Sequence, residues 1–296
     1  MLISDYTFGG TSVSSAPINN DDIGFVEHYD FSQANSSLEA RIHAVTSVAS
    51  ICYQNPKSPN NESLYKRLYQ ESGSLPSSSF EFVPILLDMR DSKYRPWADK
   101  LHLASDVFKY GEIVHGGYLL TNLRALISCV GPDADNSVFF NTPTECGIVH
   151  QYFHVFKTNI DLATARQFMR HRASWQELSR RYVSGNKLPF DFYQSPKLAS
   201  IVTPVTVTTP DNHHISFTLT TDQLQALCEA HYSSAILQSV KPEEARRALQ
   251  QSMYTQVWSA WQPRQLANLF SLRCDKHAQS EIQHLCTTMK DLIDAA

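Results

Sequence analysis

Arg166-Gln-Phe-Met-Arg-His-Arg-Ala-Ser-Trp-Gln-Glu-Leu-Ser-Arg-Arg181 carries five arginines and His171 against a single acid, Glu177. Like charges packed this closely repel one another unless anions compensate them. The cations are arginines rather than lysines, and the guanidinium fork binds phosphate or carboxylate in bidentate fashion. Phe168, Met169 and Trp175 are interleaved with the charges, which points to partial burial against a flat ligand. On charge pattern alone, the stretch also fits a solvated basic helix face, a salt-bridged subunit contact or a nucleic-acid patch.

The rest of the chain narrows these readings. It has 296 residues, 42% apolar and 18% charged, enough for one large domain with a sizeable core. Lys+Arg is 25 and Asp+Glu is 29, a formal charge of −4 that excludes a bulk basic surface and argues against a nucleic-acid partner. Only 10 residues are glycine, and none forms GxGxxG or GxxxxGK[ST]. A phosphorylated ligand would have to be held by side chains. The six cysteines, Cys52, Cys129, Cys146, Cys228, Cys274 and Cys286, form no CxxC pair and read as reduced thiols. Met1–Asp5 is not a secretory signal, and no apolar run approaches the 18 residues of a membrane span. The expectation is a soluble cytoplasmic protein without a membrane partner.

Apolar spacing predicts helices over 38–52, 62–71, 116–130, 160–170 and 222–239. Further helices are predicted from Pro242 toward Tyr254 and from Pro263 to about Ile293. Strands are predicted over 80–90 and 148–156, and a hairpin over 200–208 and 214–220 around Thr209-Pro-Asp-Asn-His213. Loops fall at 73–79 and 131–137, and residues 1–36 read as an irregular extension with at most one short strand. We read one α/β domain over 1–296, with an N-terminal extension (about 1–36) and an insertion (about 91–147).

In the predicted last helix, Arg273 and His277 are four apart and share a face with Leu266 and Phe270, so Arg273 needs a polar or anionic partner. Arg264 and Asn268 form a second four-residue pair. An internal salt bridge of Arg273, to Glu281 for instance, and a core role for His277 are the plain alternatives. His150 and His154 share a face of the predicted 148–156 strand, and His213 adjoins His214, but no acid or cysteine completes a metal set, so no metal is expected.

Two long stretches together resemble the flavin-dependent thymidylate synthases. Arg170-His-Arg172 followed by Glu177-Leu-Ser-Arg-Arg-Tyr182 resembles that family's signature. Asn268-Leu-Phe-Ser-Leu-Arg-Cys-Asp-Lys-His-Ala-Gln279 resembles its N-x-x-x-L-R-x-D-x-H-A-Q stretch. Ala49-Ser-Ile-Cys52-Tyr53 is similar to its A-x-x-C-Y, and Ser78-Ser-Phe-Glu-Phe82 to its S-P-F-E-H turn. The likeness is strong over 160–193 and 242–290 and weaker over 38–90. Six residues, 173–178, separate Arg172 from Ser179, one fewer than in the family pattern; Gln176 and Gln262 stand where the family has Asn, and Phe82 where it has His. The stretch 91–147 and the hairpin 200–220 have no counterpart in shorter members.

The resemblance implies an antiparallel sheet with packed helices, the thymidylate synthase-complementing protein fold, which binds FAD without a Rossmann loop. It implies reductive methylation of dUMP to dTMP, with methylenetetrahydrofolate as one-carbon donor and FAD reduced by NADPH. It also implies a homotetramer whose sites are shared between subunits. Carried over by position, Ser78, Arg170, His171, Arg172, Glu177, Gln262, Arg264, Asn268 and His277 are expected to contact FAD. Gln167, Arg170, Glu177, Leu178, Ser179, Arg180, Arg181 and Arg246 are expected around dUMP, with Arg273 against the uracil ring as the catalytic residue. Methylation of another pyrimidine nucleotide, or a non-catalytic binder that kept the basic pocket, are the alternatives.

Overall fold

The computed structural model describes residues 14–18, 23–55, 60–70, 76–108, 111–131, 139 and 142–296, with side chains of 102–108 excepted. The predicted loop 131–137 falls almost wholly outside these residues, and 73–79 partly so. The frame is a five-stranded antiparallel sheet of order β1-β2-β6-β10-β7. Its first strands, β1 (Ser14–Ile18) and β2 (Gly24–Tyr29), come from the segment expected to be an irregular extension. Their alternating burial places polar residues between the apolar ones in two short stretches, too short a period to stand out in the sequence. Gly24 has φ +137, and a Cβ there would lie 1.8 Å from the Asn159 carbonyl oxygen, so only glycine lets β2 approach its neighbour.

Helices α1 (Leu38–Tyr53) and α2 (Glu62–Gln70) form where their spacing predicts. Ser37 caps α1 by accepting from the Ala40 N–H, and Gln54 ends it at φ 47. The predicted strand 80–90 divides into a 3-10 turn (Ser78–Phe82) and β3 (Pro84–Asp88). After α3 (Arg95–Phe108), β4 (Glu112–Val114) and β5 (Tyr118–Asn122) complete a small sheet of order β3-β5-β4. The helix predicted over 116–130 is therefore half strand. Asn122 caps α4 (Leu123–Val130) by accepting from the Ala125 N–H, and the chain before it is extended.

Residues 148–156 are not one strand. The Thr142 and Glu145 capping box starts α5 (Pro143–Tyr152), and β6 (His154–Asp161) follows one residue later. His150 and His154 thus lie on different elements and share no strand face. Asp161 accepts from the Ala163 and Thr164 N–H groups and starts α6 (Leu162–Phe168), which leads by a short turn into β7 (Ser174–Glu177).

The short α7 (Pro196–Ala199) precedes the expected hairpin, β8 (Val202–Thr208) and β9 (His214–Thr220), and then α8 (Thr221–Leu237). The helix expected toward Tyr254 is only α9 (Pro242–Ala245) with a 3-10 turn (Arg246–Ala248). The chain then enters β10 (Tyr254–Trp261), whose β-branched and aromatic residues suit the centre of the sheet. The last helix is two, α10 (Pro263–Arg273) and α11 (Ser280–Asp294). The Asp275 carboxylate accepts from the His277 N–H at 2.8 Å, a side-chain turn that interrupts the helix. His277 therefore leaves the helical face it was expected to share with Arg273.

Each face of the large sheet covers its own core. Trp258, Ala260, Val155 and Tyr29 point toward α1, α4 and α5, with Leu119, Leu120 and Leu126 in the same cluster. The expected insertion is thus built into the main core. Val257, Trp261, Phe156 and Val26 point the other way, toward Phe168 of α6, Leu266 and Leu269 of α10 and Leu285 and Met289 of α11.

Candidate active site

The turn after α6 brings the Arg170-His171-Arg172 triplet beside the end of α10. His171 is buried, whereas Arg170 and Arg172 are exposed and make no ion pair or side-chain hydrogen bond among the described residues. Arg273 Nε donates to His171 Nε2 at 2.8 Å. The accepting nitrogen must be unprotonated, so the ring proton is on Nδ1. Burial first, and the Arg273 charge second, hold His171 below its ordinary pKa and keep it neutral. Among the described residues, the internal salt bridge considered for Arg273, to Glu281 for instance, does not form. Nearby, Gln167 Nε2 donates to Gln279 Oε1 at 2.5 Å, a second link between the two diagnostic stretches.

Strand β7 separates two environments by its pleat. Gln176 faces α1, where its Oε1 accepts from the Cys52 thiol at 3.2 Å and its Nε2 donates to Ser78 Oγ at 2.5 Å. Cys52 also donates to the Glu177 carbonyl at 3.3 Å, and burial, with the Glu177 charge second, pushes its thiol up to about 11. Cys52 therefore stays protonated and able to donate. The A-x-x-C-Y stretch, the Ser78 turn and β7 meet through this one side chain, a connection that the lone residues did not signal.

Glu177 faces the other way, into a cavity of about 510 Å³ between α6, β10 and the Arg246 turn. Thr255 Oγ1 donates to Glu177 Oε1 at 3.1 Å. Burial raises the Glu177 pKa, opposed by that hydrogen bond and by the charges of Arg166 and Arg246. Four arginines, Arg166, Arg180, Arg246 and Arg247, line the cavity against two carboxylates, Glu177 and Glu243. The excess of positive charge suits a phosphate. Arg166, Arg247 and Thr255 were not singled out from the sequence. Arg166 lay in the basic cluster without a role, and Thr255 belongs to no motif.

Around this cavity the expected residues differ in freedom. Leu178 is buried, and its N–H donates to the Gln256 carbonyl at 2.9 Å. Ser179 Oγ accepts from the Arg181 N–H at 3.4 Å. Arg180 is held inside: it donates to the carbonyls of Leu188 at 2.7 Å and Pro189 at 3.3 Å and stacks over Phe190. Burial lowers it to about 10, so it remains cationic at neutral pH, with a buried Nε that has no partner. Exposed Arg181 lies 3.8 Å from Glu243, and Arg246 Nε donates to the Glu243 carbonyl at 3.2 Å.

The start of α10 holds buried Gln262 and exposed Arg264 and Asn268. The Arg264 N–H donates to Glu112 Oε2 of β4 at 2.9 Å. Neither these residues nor Ser78, Arg273 or exposed His277 line the Glu177 cavity. Within one chain, the predicted site is divided between that cavity and the α10 end. Trp175 also departs from expectation: it packs edge-on against Phe168 and Trp261 inside the core instead of offering a face to a ligand. Among the described residues no three metal-binding side chains converge, and no helix is long and apolar enough to cross a membrane.

A mixed α/β fold with an antiparallel sheet and an arginine-lined cavity built from side chains is the class that these features define. The family model for thymidylate synthase complementing proteins, Thy1, matches residues 147–296, and the chain belongs to that family. The flavin-dependent thymidylate synthase of Thermotoga neapolitana is 33% identical over 132 residues, 43% of this chain and 55% of that protein. The chain thus spans about half the length of this curated relative. A solved structure of the UMP/dUMP methylase PolB from Streptomyces cacaoi, bound with 5-Br dUMP, covers 57% of this chain and 81% of its own. Its identity is 21% and its TM-score 0.36, too slight a likeness to argue from.

Proposed function

We propose that this protein methylates dUMP reductively to dTMP, taking the one-carbon unit from methylenetetrahydrofolate and using FAD reduced by NADPH. The observation that carries the reading is the junction of the two diagnostic stretches, where Arg273 donates to His171 although 102 residues separate them. Family membership and the arginine-lined cavity beside Glu177 support it.

The donor chemistry suits both phosphorylated ligands. The exposed guanidinia of Arg170 and Arg172 are available to a pyrophosphate, and with Ser78, His171, Glu177, Gln262, Arg264, Asn268 and His277 they would hold FAD. When bound, the reduced flavin supplies the hydride that completes the methyl group. Gln167, Arg170, Glu177, Leu178, Ser179, Arg180, Arg181 and Arg246 would wrap dUMP, the arginines at its phosphate. Ser179 serves by hydrogen bonding, since no histidine base accompanies it.

Arg273 has the catalytic role. Carbon 5 of the pyrimidine becomes nucleophilic as negative charge gathers on the ring nitrogen and carbonyls, and a fixed guanidinium beside the ring stabilises that charge. Neutral His171 holds the guanidinium by accepting from Nε, which leaves the remaining N–H groups for the ring. The proposal includes a homotetramer in the cytoplasm, and the division of site residues within one chain supports the sharing of sites between its subunits.

The test is dTMP formation by the purified protein with dUMP, methylenetetrahydrofolate and NADPH, alongside restored growth of a thymidine-requiring cell. A yellow protein that makes no dTMP but methylates another pyrimidine nucleotide would shift the substrate. A colourless protein that ignores FAD and retards oligonucleotides would replace the enzyme with a binder.

A further inference from the structure

Ser78 lies in a turn that is gripped from two sides. From β7, Gln176 Nε2 donates to Ser78 Oγ, which leaves the Ser78 hydroxyl hydrogen to be given to a ligand. From the stretch expected to be an insertion, Arg124 reaches across the whole turn. Its Nε donates to the Pro76 carbonyl at 2.9 Å, and its Nη1 donates to Glu81 Oε1 at 2.5 Å. Pro76 precedes Ser78 by two residues and Glu81 follows it by three. One planar guanidinium thus closes the loop on which Ser78 sits.

The surroundings hold this clasp in place. Arg124 stands in the first turn of α4, where the helix dipole disfavours a cation, so its place answers to the Ser78 turn and not to its own helix. The Leu123 N–H donates to the Val83 carbonyl at 2.9 Å, which starts α4 against the end of the turn. Phe80 and Phe82 are fully buried in one cluster with Leu123 and Leu126. The Ser77 N–H donates to the Leu68 carbonyl at 2.9 Å and fixes the entry. The Arg124 and Glu81 side chains are 31% and 16% exposed, so solvent screens this pair less than a surface one.

We propose that Arg124 is a positioning residue for flavin binding: by clasping Pro76 and Glu81 it presets the turn from which the Ser78 hydroxyl meets FAD. The assignment rests on the flavin reading given above. A turn fixed before the ligand arrives loses less freedom on binding, which raises affinity without adding a contact. Arg124 therefore acts on how tightly FAD is held and not on the chemical step. It brings the 91–147 stretch, which carries none of the motif residues, into the flavin site at one remove.

FAD titration of the full chain, freed of bound flavin, tests it. Arg124→Ala should weaken FAD binding at least about tenfold, the scale of a lost hydrogen bond to a charged group. Turnover at saturating FAD should stay within about twofold of wild type, since only the holding of Ser78 has changed. Glu81→Gln keeps an acceptor for Nη1 and should hold FAD closer to wild type than Glu81→Ala does. Arg124→Lys keeps the charge but cannot span both acceptors; it should lose FAD as Arg124→Ala does, and it serves if the alanine variant fails to fold. Gly116→Ala strains the same stretch without touching the turn, and should lower the urea midpoint while leaving FAD affinity unchanged. Wild-type FAD affinity in the Arg124 variants, or an equal loss in Gly116→Ala, would overturn the proposal and leave the flavin reading standing. A wild type that binds no FAD would overturn both.

Discussion

Arg273 donates from Nε to Nε2 of His171 at 2.8 Å, which joins the end of α10 to the turn after α6. The bond fixes the guanidinium plane and requires a neutral imidazole. Arg273→Ala should lower dTMP formation at least about a hundredfold, the scale of removing one preorganised charge-stabilising donor. Flavin binding should stay within about twofold of wild type, since the change leaves the Arg170-His171-Arg172 donors in place. Arg172→Ala should do the reverse and release FAD, read as flavin absorbance retained after gel filtration.

Gln176 joins Cys52 to Ser78. Gln176→Ala would strand Ser78 Oγ in a half-buried site and leave the Cys52 thiol only the Glu177 carbonyl, at a cost of about 1–3 kcal/mol. The denaturation midpoint should fall accordingly. Flavin affinity should fall with it, because the turn that carries Ser78 loses its tie to β7.

Gly24 and Gly116 both have positive φ, but only Gly24 faces a crowded backbone. Gly24→Ala should cost about 3–5 kcal/mol or prevent folding, because its Cβ would overlap the Asn159 carbonyl. Gly116→Ala, with nothing within 4 Å, should cost only about 1–2 kcal/mol of backbone strain. Urea unfolding of the two variants compares them directly.

His28 and His154 form a buried pair at 3.3 Å, with His28 stacked on Phe156. Burial, with repulsion from His150 for His28 and mutual repulsion for His154, lowers each to about 4, while Asp30 opposes the shift. The unfolded chain binds protons near pH 6.5, before the folded one does. Stability is therefore fully present above about pH 6.5 and falls as pH drops toward 4, by up to about 1.4 kcal/mol per pH unit for each imidazole. Unfolding midpoints measured from pH 7 to 4.5 should show this slope, and His154→Gln should flatten it.

The helices α1, α2, α6 and α8 and the β8–β9 hairpin were legible because their periodicity, caps and turn residues are local. The charge density of the arginine stretch was legible too, since it needs no fold to be recognised. The breaks were not. An Asn122 cap, a Thr142–Glu145 box and an Asp275 turn are short signals overwhelmed by longer apolar periods, and they decide where a strand yields to a helix or one helix becomes two.

By itself, then, the sequence determined the family, the arginine density of the 166–181 stretch and the absence of a GxGxxG or GxxxxGK[ST] loop. Tertiary structure alone decided which side chain faces what. The register of Glu177 opposite Val257 sends Glu177 into the arginine cavity and its neighbour Gln176 toward Cys52 and Ser78. A strand has a period of two, so a one-residue shift would exchange those fates. Long-range pairing sets that register, as it sets the meeting of His171 with Arg273, and neither is encoded in any single stretch of the chain.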